Sequence, residues 1–233
     1  MEDSIEAGEI LARAAAYPYE APLRSFIQIG PETHELGAAA LDLAGRRPLL
    51  CYGANAAPAV LARKLSPTVG HEPLPVLLAE LGDYDVVYSA HVSPYGAVPA
   101  TLQRSSGTAV PAFVAFATTE QEELLTATEP NYELRRLHDP ELRVDGLGPL
   151  DEVDAYLSRH GCLALDGSAV ALAAVEARDR QLPVLEEVEV LERVRRILAP
   201  ELDLETFVAS GLDPGLAAAR TAVLRGGAIP FSH

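Results

Sequence analysis

Lysine is nearly missing from this chain. Lys64 is the only one among 233 residues, and 18 basic side chains stand against 34 acidic ones. A formal net charge of -16 makes duplex nucleic acid and anionic membranes poor partners. Cysteine is scarce as well. Cys51 and Cys162 fall in separate segments, which gives no disulfide framework and points to a reducing, cytoplasmic location. No apolar run approaches the length of a membrane span. The opening Met1-Glu2-Asp3-Ser4-Ile5-Glu6 lacks the basic start of a signal peptide. The histidines, His34, His71, His91, His138, His160 and His233, are scattered without a close ligand pair, so no metal is expected. There is no G-x-x-x-x-G-K-[ST] loop, and Gly146-Leu147-Gly148 lacks the rest of a dinucleotide fingerprint, so no cofactor is expected. Neither Ser105-Ser106-Gly107 nor Gly167-Ser168 makes a nucleophile elbow.

Hydrophobic residues make up 48% of the chain, enough for a sizeable core. The most informative stretch is Pro48-Leu49-Leu50-Cys51-Tyr52-Gly53-Ala54-Asn55. It reads as a strand, a tight turn and the start of a helix. Gly53 permits a close bend. Asn55 suits a helix N-cap, and Pro58 falls in the first turn, where a missing N–H is harmless. Backbone N–H groups gathered at such a turn favour an anion.

Other elements follow from periodicity and breakers. Residues 4–16 carry a weak helical pattern, broken by Tyr17-Pro18-Tyr19-Glu20-Ala21-Pro22. A second helix is predicted over 33–44, with Thr33 as cap and Gly45 as stop. Strands are predicted over 84–92, 100–103, 109–117 and 169–177. Residues 66–83, 91–99 and 104–107 read as loops. A capped, acid-rich helix starts at Thr118 and stops before Pro130. Small and amphipathic helices are predicted over 151–159 and 185–198, and helical turns over 201–233. Cys51 reads as a buried strand residue and Arg193, Arg195 and Arg196 as a solvated helix face. No internal repeat is visible.

Several segments together resemble the γ-glutamylcyclotransferase-like proteins. Tyr52-Gly53-Ala54-Asn55 resembles their Tyr-Gly-Ser-Asn motif. Gly96 through Ala100-Thr101-Leu102, the apolar strand Pro111-Ala112-Phe113-Val114-Ala115-Phe116, and Glu129 with Tyr132 follow in order. The likeness covers roughly 48–137 and extends to about 198. Ala54 stands where the family has serine, Pro130 where it has glycine, and Tyr132 lies nearer the glutamate.

The resemblance implies an α+β fold: a small mixed β-barrel-like sheet with surrounding helices. It sets the core at 48–200, between an N-terminal helical arm, 1–47, and a C-terminal helical tail, 201–233. It also implies cyclisation of a γ-glutamyl amide to 5-oxoproline with release of an amine or amino acid. The substrate's own α-amine attacks the γ-carbonyl, a ring closure favoured by proximity. Glu129 is the expected acid/base, its apolar and turn surroundings raising its proton affinity. Tyr52, Gly53, Ala54 and Asn55 are expected to hold the substrate. Tyr52 or Tyr132 would orient it or donate to the oxyanion. The expected partner is a small molecule with a γ-glutamyl or similar carboxylate group. Oligomeric state is not fixed by the sequence, a homodimer being one option. Two other readings stand beside this one: a non-catalytic binder of a small carboxylate-bearing metabolite, and an assembly protein whose helical ends carry the role.

Overall fold

Apolar residues at successive positions of one strand must face two different layers, because side chains alternate across a sheet. The computed structural model, which describes residues 7–37, 42–65 and 72–232, shows both layers. In β3 (Arg47–Cys51), Leu50 points into one core cluster with Leu77, Leu81, Val114 and Val153. Leu49 and Cys51 point to the other, with Leu61, Phe113, Ala115 and Leu125. The first cluster fills a barrel. The second lies between the barrel wall and flanking helices.

The barrel is closed by five strands: β3, β4 (Leu74–Tyr88), β5 (Ala100–Ala117), β6 (Tyr132–Val144) and β7 (Gly148–Ser158). The hydrogen-bonded order is β4-β5-β3-β7-β6, and β6 pairs back to β4. Every pair is antiparallel except β3 with β7. Closure removes the open edges of a small sheet. A register shift between Gly82 and Tyr84 bends β4, with Asp83 at positive φ. Before that bend Ala79–Gly82 pairs with β6. Beyond it, Val87 pairs with the short β10 (Ala171–Leu172) instead. The N-terminal arm contributes α1 (Ala7–Ala15) and the hairpin β1 (Phe26–Ile29) and β2 (Glu32–Glu35), with β1 joined to the start of β4. Among the described residues six helices surround the sheet: α1, α2 (Pro58–Lys64), α3 (Thr119–Ala127), α4 (Glu187–Leu198), α5 (Leu204–Ser210) and α6 (Pro214–Gly226). No helix among the described residues is long and apolar enough to cross a membrane.

Several predicted elements differ. The helix expected over 33–44 gives way to β2, turned by Gly30-Pro31 so that Ile29 faces Glu32; its residues 38–41 lie outside the described residues. Residues 151–158 of the helix expected over 151–159 belong to strand β7. Val153, Ala155 and Leu157 enter the barrel core at a period of two. The loop expected at 104–107 is instead part of the long β5; of the loop expected over 66–83, residues 74–83 belong to β4 and 66–71 lie outside the described residues. The strand expected over 169–177 shrinks to Ser168–Ala169 (β9) and β10. The expected helices starting near Thr118 and Leu185 are present as α3 and α4. A reciprocal capping box between Thr118 and Gln121 opens α3, each group satisfying an orphan donor.

Candidate functional site

The turn after β3 brings the chain back over the barrel mouth. Gly53 has to be small there: a Cβ would lie 2.8 Å from the Tyr17 hydroxyl and 3.3 Å from Ala100 Cβ. Ala54–Ala56 forms one 3-10 turn. The N–H groups of Ala54 and Asn55, at its start, take no main-chain acceptor among the described residues. Asn55, expected to cap α2, does not. Ala57 is the N-cap, without a side-chain bond, and Pro58 opens the helix. The Asn55 side chain is thereby free for another role.

That role is contact with Glu129. Asn55 Nδ2 donates to Glu129 Oε1 at 3.0 Å. Lys64 Nζ donates to the same oxygen and, at 2.9 Å, to Asn55 Oδ1. The Lys64 and Glu129 side chains are only 13% and 14% exposed. Glu129 Oε2 takes no protein partner among the described residues. Glu129 sits just past α3, where Pro130 helps form a turn closed by Tyr132 N–H donating to Glu129 O at 3.0 Å. A proline fits the second place of such a turn, since its φ is preset. The surroundings expected for Glu129 were apolar; the structure supplies a cation and an amide instead, and the carboxylate is one member of a three-residue polar network.

A cavity of about 420 Å³ separates these groups from the rest of the barrel mouth. All six residues singled out from the sequence line it: Tyr52, Gly53, Ala54, Asn55, Glu129 and Tyr132. The two tyrosine hydroxyls are committed elsewhere. Tyr52 Oη donates to the carbonyl of Tyr156, and Tyr132 Oη donates to that of Ala100 at 2.8 Å. Burial raises the pKa of both phenols, keeping them protonated. Tyr52 and Tyr132 therefore brace the walls rather than offering hydroxyls to a ligand. Cys51, also on the wall, has its thiol pushed up to about 12 by burial, so it is a weak nucleophile near neutral pH.

Sequence reasoning did not assign four further wall residues. Arg13, Tyr17 and Tyr19 come from the N-terminal arm and Tyr95 from the loop before β5. Tyr17 Oη accepts from the N–H of Ala100 at 2.8 Å, and the Tyr17 and Tyr95 rings stack at 6.5 Å. The Arg13 guanidinium lies 5.6 Å from the centre of Tyr95. Neither Arg13 nor Arg63, also on the wall, has a carboxylate partner among the described residues. In a chain with nearly twice as many acids as bases, two such guanidiniums and the sole lysine beside one carboxylate make this cavity locally positive. The lysine was visible in the sequence; nothing local said that it turns inward.

Among the described residues no group of three His, Cys, Asp or Glu side chains is placed to hold a metal ion. The fold and its wall define an α+β barrel with a polar, cationic cavity at one mouth. No protein-family model matches the chain, and no curated protein does. A solution structure of the Arabidopsis thaliana protein At3g28950.1 is similar at 18% identity over 53% of this chain and 66% of that one, with a TM-score of 0.37.

Proposed function

We propose that this chain cyclises a γ-glutamyl amide to 5-oxoproline and releases an amine or amino acid, as γ-glutamylcyclotransferase-like proteins do. One observation carries the reading. Glu129, from the turn after α3, reaches the Tyr52–Asn55 turn and lines the same cavity. The substrate's α-carboxylate meets Lys64 and Arg63 of α2 and the unbonded N–H groups of Ala54 and Asn55. Its α-ammonium gives a proton to Glu129 Oε2, the oxygen left unpartnered. The freed amine then bonds to the γ-carbon. As the amide C–N bond breaks, Glu129 returns that proton to the departing nitrogen; it then takes a second proton from the ring nitrogen, which keeps one hydrogen, and passes it on, so the amine leaves as an ammonium. One carboxylate thus acts first as base and then as acid.

Incubation with a panel of γ-glutamyl amines and γ-glutamyl peptides, followed for 5-oxoproline, tests this. Glu129→Gln should lower turnover by about 100-fold or more while ligand binding persists. A panel that yields no 5-oxoproline with the unaltered protein overturns the reading.

A second reading is a non-catalytic receptor for a small carboxylate-bearing metabolite. The observation in its favour is that Glu129 Oε1 already holds both Lys64 and Asn55. In a receptor Glu129→Gln changes little beyond affinity.

A further inference from the structure

The cavity wall contains a group that the reaction above leaves unused. His91 follows β4 and lines the same cavity, yet the residue is only 1% exposed. Its ring meets Tyr132 edge-on at 5.5 Å and lies 5.0 Å from the His160 ring. Burial, aided by His160, holds its pKa down to about 3, so the imidazole is uncharged at neutral pH.

Its tautomer follows from a count of protons. His91 Nδ1 lies 2.6 Å from Ser89 Oγ, and Ser89 Oγ lies 2.6 Å from Ser158 Oγ. Ser158 Oγ already accepts the N–H of His160 at 3.0 Å. The Ser158 proton must go to an acceptor. His160 Nδ1 takes no partner among the described residues, which leaves Ser89 Oγ as the acceptor the protein offers. In that arrangement Ser89 donates its own proton to a bare His91 Nδ1. Only this arrangement gives both hydroxyl protons an acceptor within the protein. The His91 proton is left on Nε2, which takes no protein partner among the described residues.

We infer that His91 carries its ring proton on Nε2 and donates it as a hydrogen bond to the γ-carbonyl oxygen of the bound substrate. The inference rests on the reading above as to what that substrate is. It fills a gap in that reading. The closing of the ring places negative charge on the γ-oxygen. Both tyrosine hydroxyls expected to meet that charge are spent on main-chain carbonyls. A fixed N–H from an uncharged, walled-in imidazole is a donor that needs no reorganisation as charge develops. The bond to Ser89 holds the ring in place and sets which nitrogen faces the ligand.

Two substitutions separate this role from a structural one. A glutamine amide reaches about as far as Nε2 and restores a donor into the cavity, while losing the contact with Ser89. An asparagine amide reaches about as far as Nδ1; it keeps Ser89 company and offers the cavity nothing. His91→Asn should lower kcat by about 100-fold with KM nearly unchanged, and His91→Gln should recover most of that loss. A merely structural histidine gives the reverse order, with Asn tolerated and Gln damaging, and that result overturns the inference. Nitrogen-15 NMR of the unaltered protein reads the tautomer directly, and added 5-oxoproline serves as the carbonyl probe. A proton on Nε2 whose signal moves with 5-oxoproline supports the assignment. A proton on Nδ1, or an Nε2 signal indifferent to saturating 5-oxoproline, sinks it. These spectra need no turnover, so a silent substrate panel counts against the cyclisation while the NMR result still decides the role of His91.

Discussion

At the scale of single residues, the cationic partner of Glu129 is the least anticipated feature. Lys64 stands nine residues after Asn55 in sequence, yet both donate to one carboxylate oxygen. Lys64→Met keeps much of the length and removes the charge. Affinity for 5-oxoproline, read by calorimetry, should fall about 10- to 100-fold, the worth of a charge-assisted hydrogen bond. A second residue sets a pH dependence. Glu187, at the start of α4, is 3% exposed. Its Oε1 accepts the N–H of Val98 at 2.7 Å, its Oε2 has no partner among the described residues, and Tyr17, Tyr88 and Tyr95 are titratable neighbours. Burial raises its pKa well above the usual 4.5. A carboxyl raised in the folded state contributes stability that is complete below the unfolded value and drains as pH climbs toward the folded one. Glu187→Gln should therefore melt about 3 °C or more above the parent at pH 8. At pH 4 the two should coincide. The sequence named Glu129, Asn55 and Gly53 because turn chemistry and motif order are local. It did not reveal Lys64 as their partner, because which face of α2 turns inward depends on packing.

At the scale of elements, the bend in β4 matters most. One strand runs beside β5 along both halves, while its other edge pairs with β6 up to Gly82 and with β10 beyond Tyr84. That second half is pinned by Asp85, which is fully buried and holds Arg180 at 2.9 Å, while Arg180 also donates to the carbonyl of Val175 at 2.7 Å. Removing one partner of a buried pair strands the other's charge. Asp85→Ala should cost about 3–5 kcal/mol, seen as a lower denaturant midpoint, and Arg180→Ala on top should cost less than the sum. The helices α3 and α4 were legible because caps and apolar spacing are written within a few residues. β7 was misread as a helix because Val153, Ala155 and Leu157 also lie among polar residues that tolerate a helix. Only pairing with both β3 and β6 imposes the period of two.

At the scale of the whole molecule, the arm and tail expected as appendages belong to the site and its support. Arg13, Tyr17 and Tyr19 wall the cavity. Tyr17 packs beside Tyr95, and Val208 of α5 meets the Gly96 backbone in the loop that carries that tyrosine. Deleting residues 1–25 should therefore abolish 5-oxoproline binding, read by calorimetry alongside light scattering. Loss of an oligomer with binding intact would instead return the arm to an assembly role. The amino-acid order by itself determined the strand-turn-helix after Pro48, the capped helix before Pro130 and the strongly acidic net charge. Each of these depends on neighbours in the chain or on summed charge. Tertiary structure alone decided that β6 returns to β4 to shut the barrel, that the sole lysine faces the lone cavity glutamate, and that two tyrosines spend their hydroxyls on carbonyls. Those outcomes join residues tens of positions apart, and only the closing of the sheet sets the distances between them.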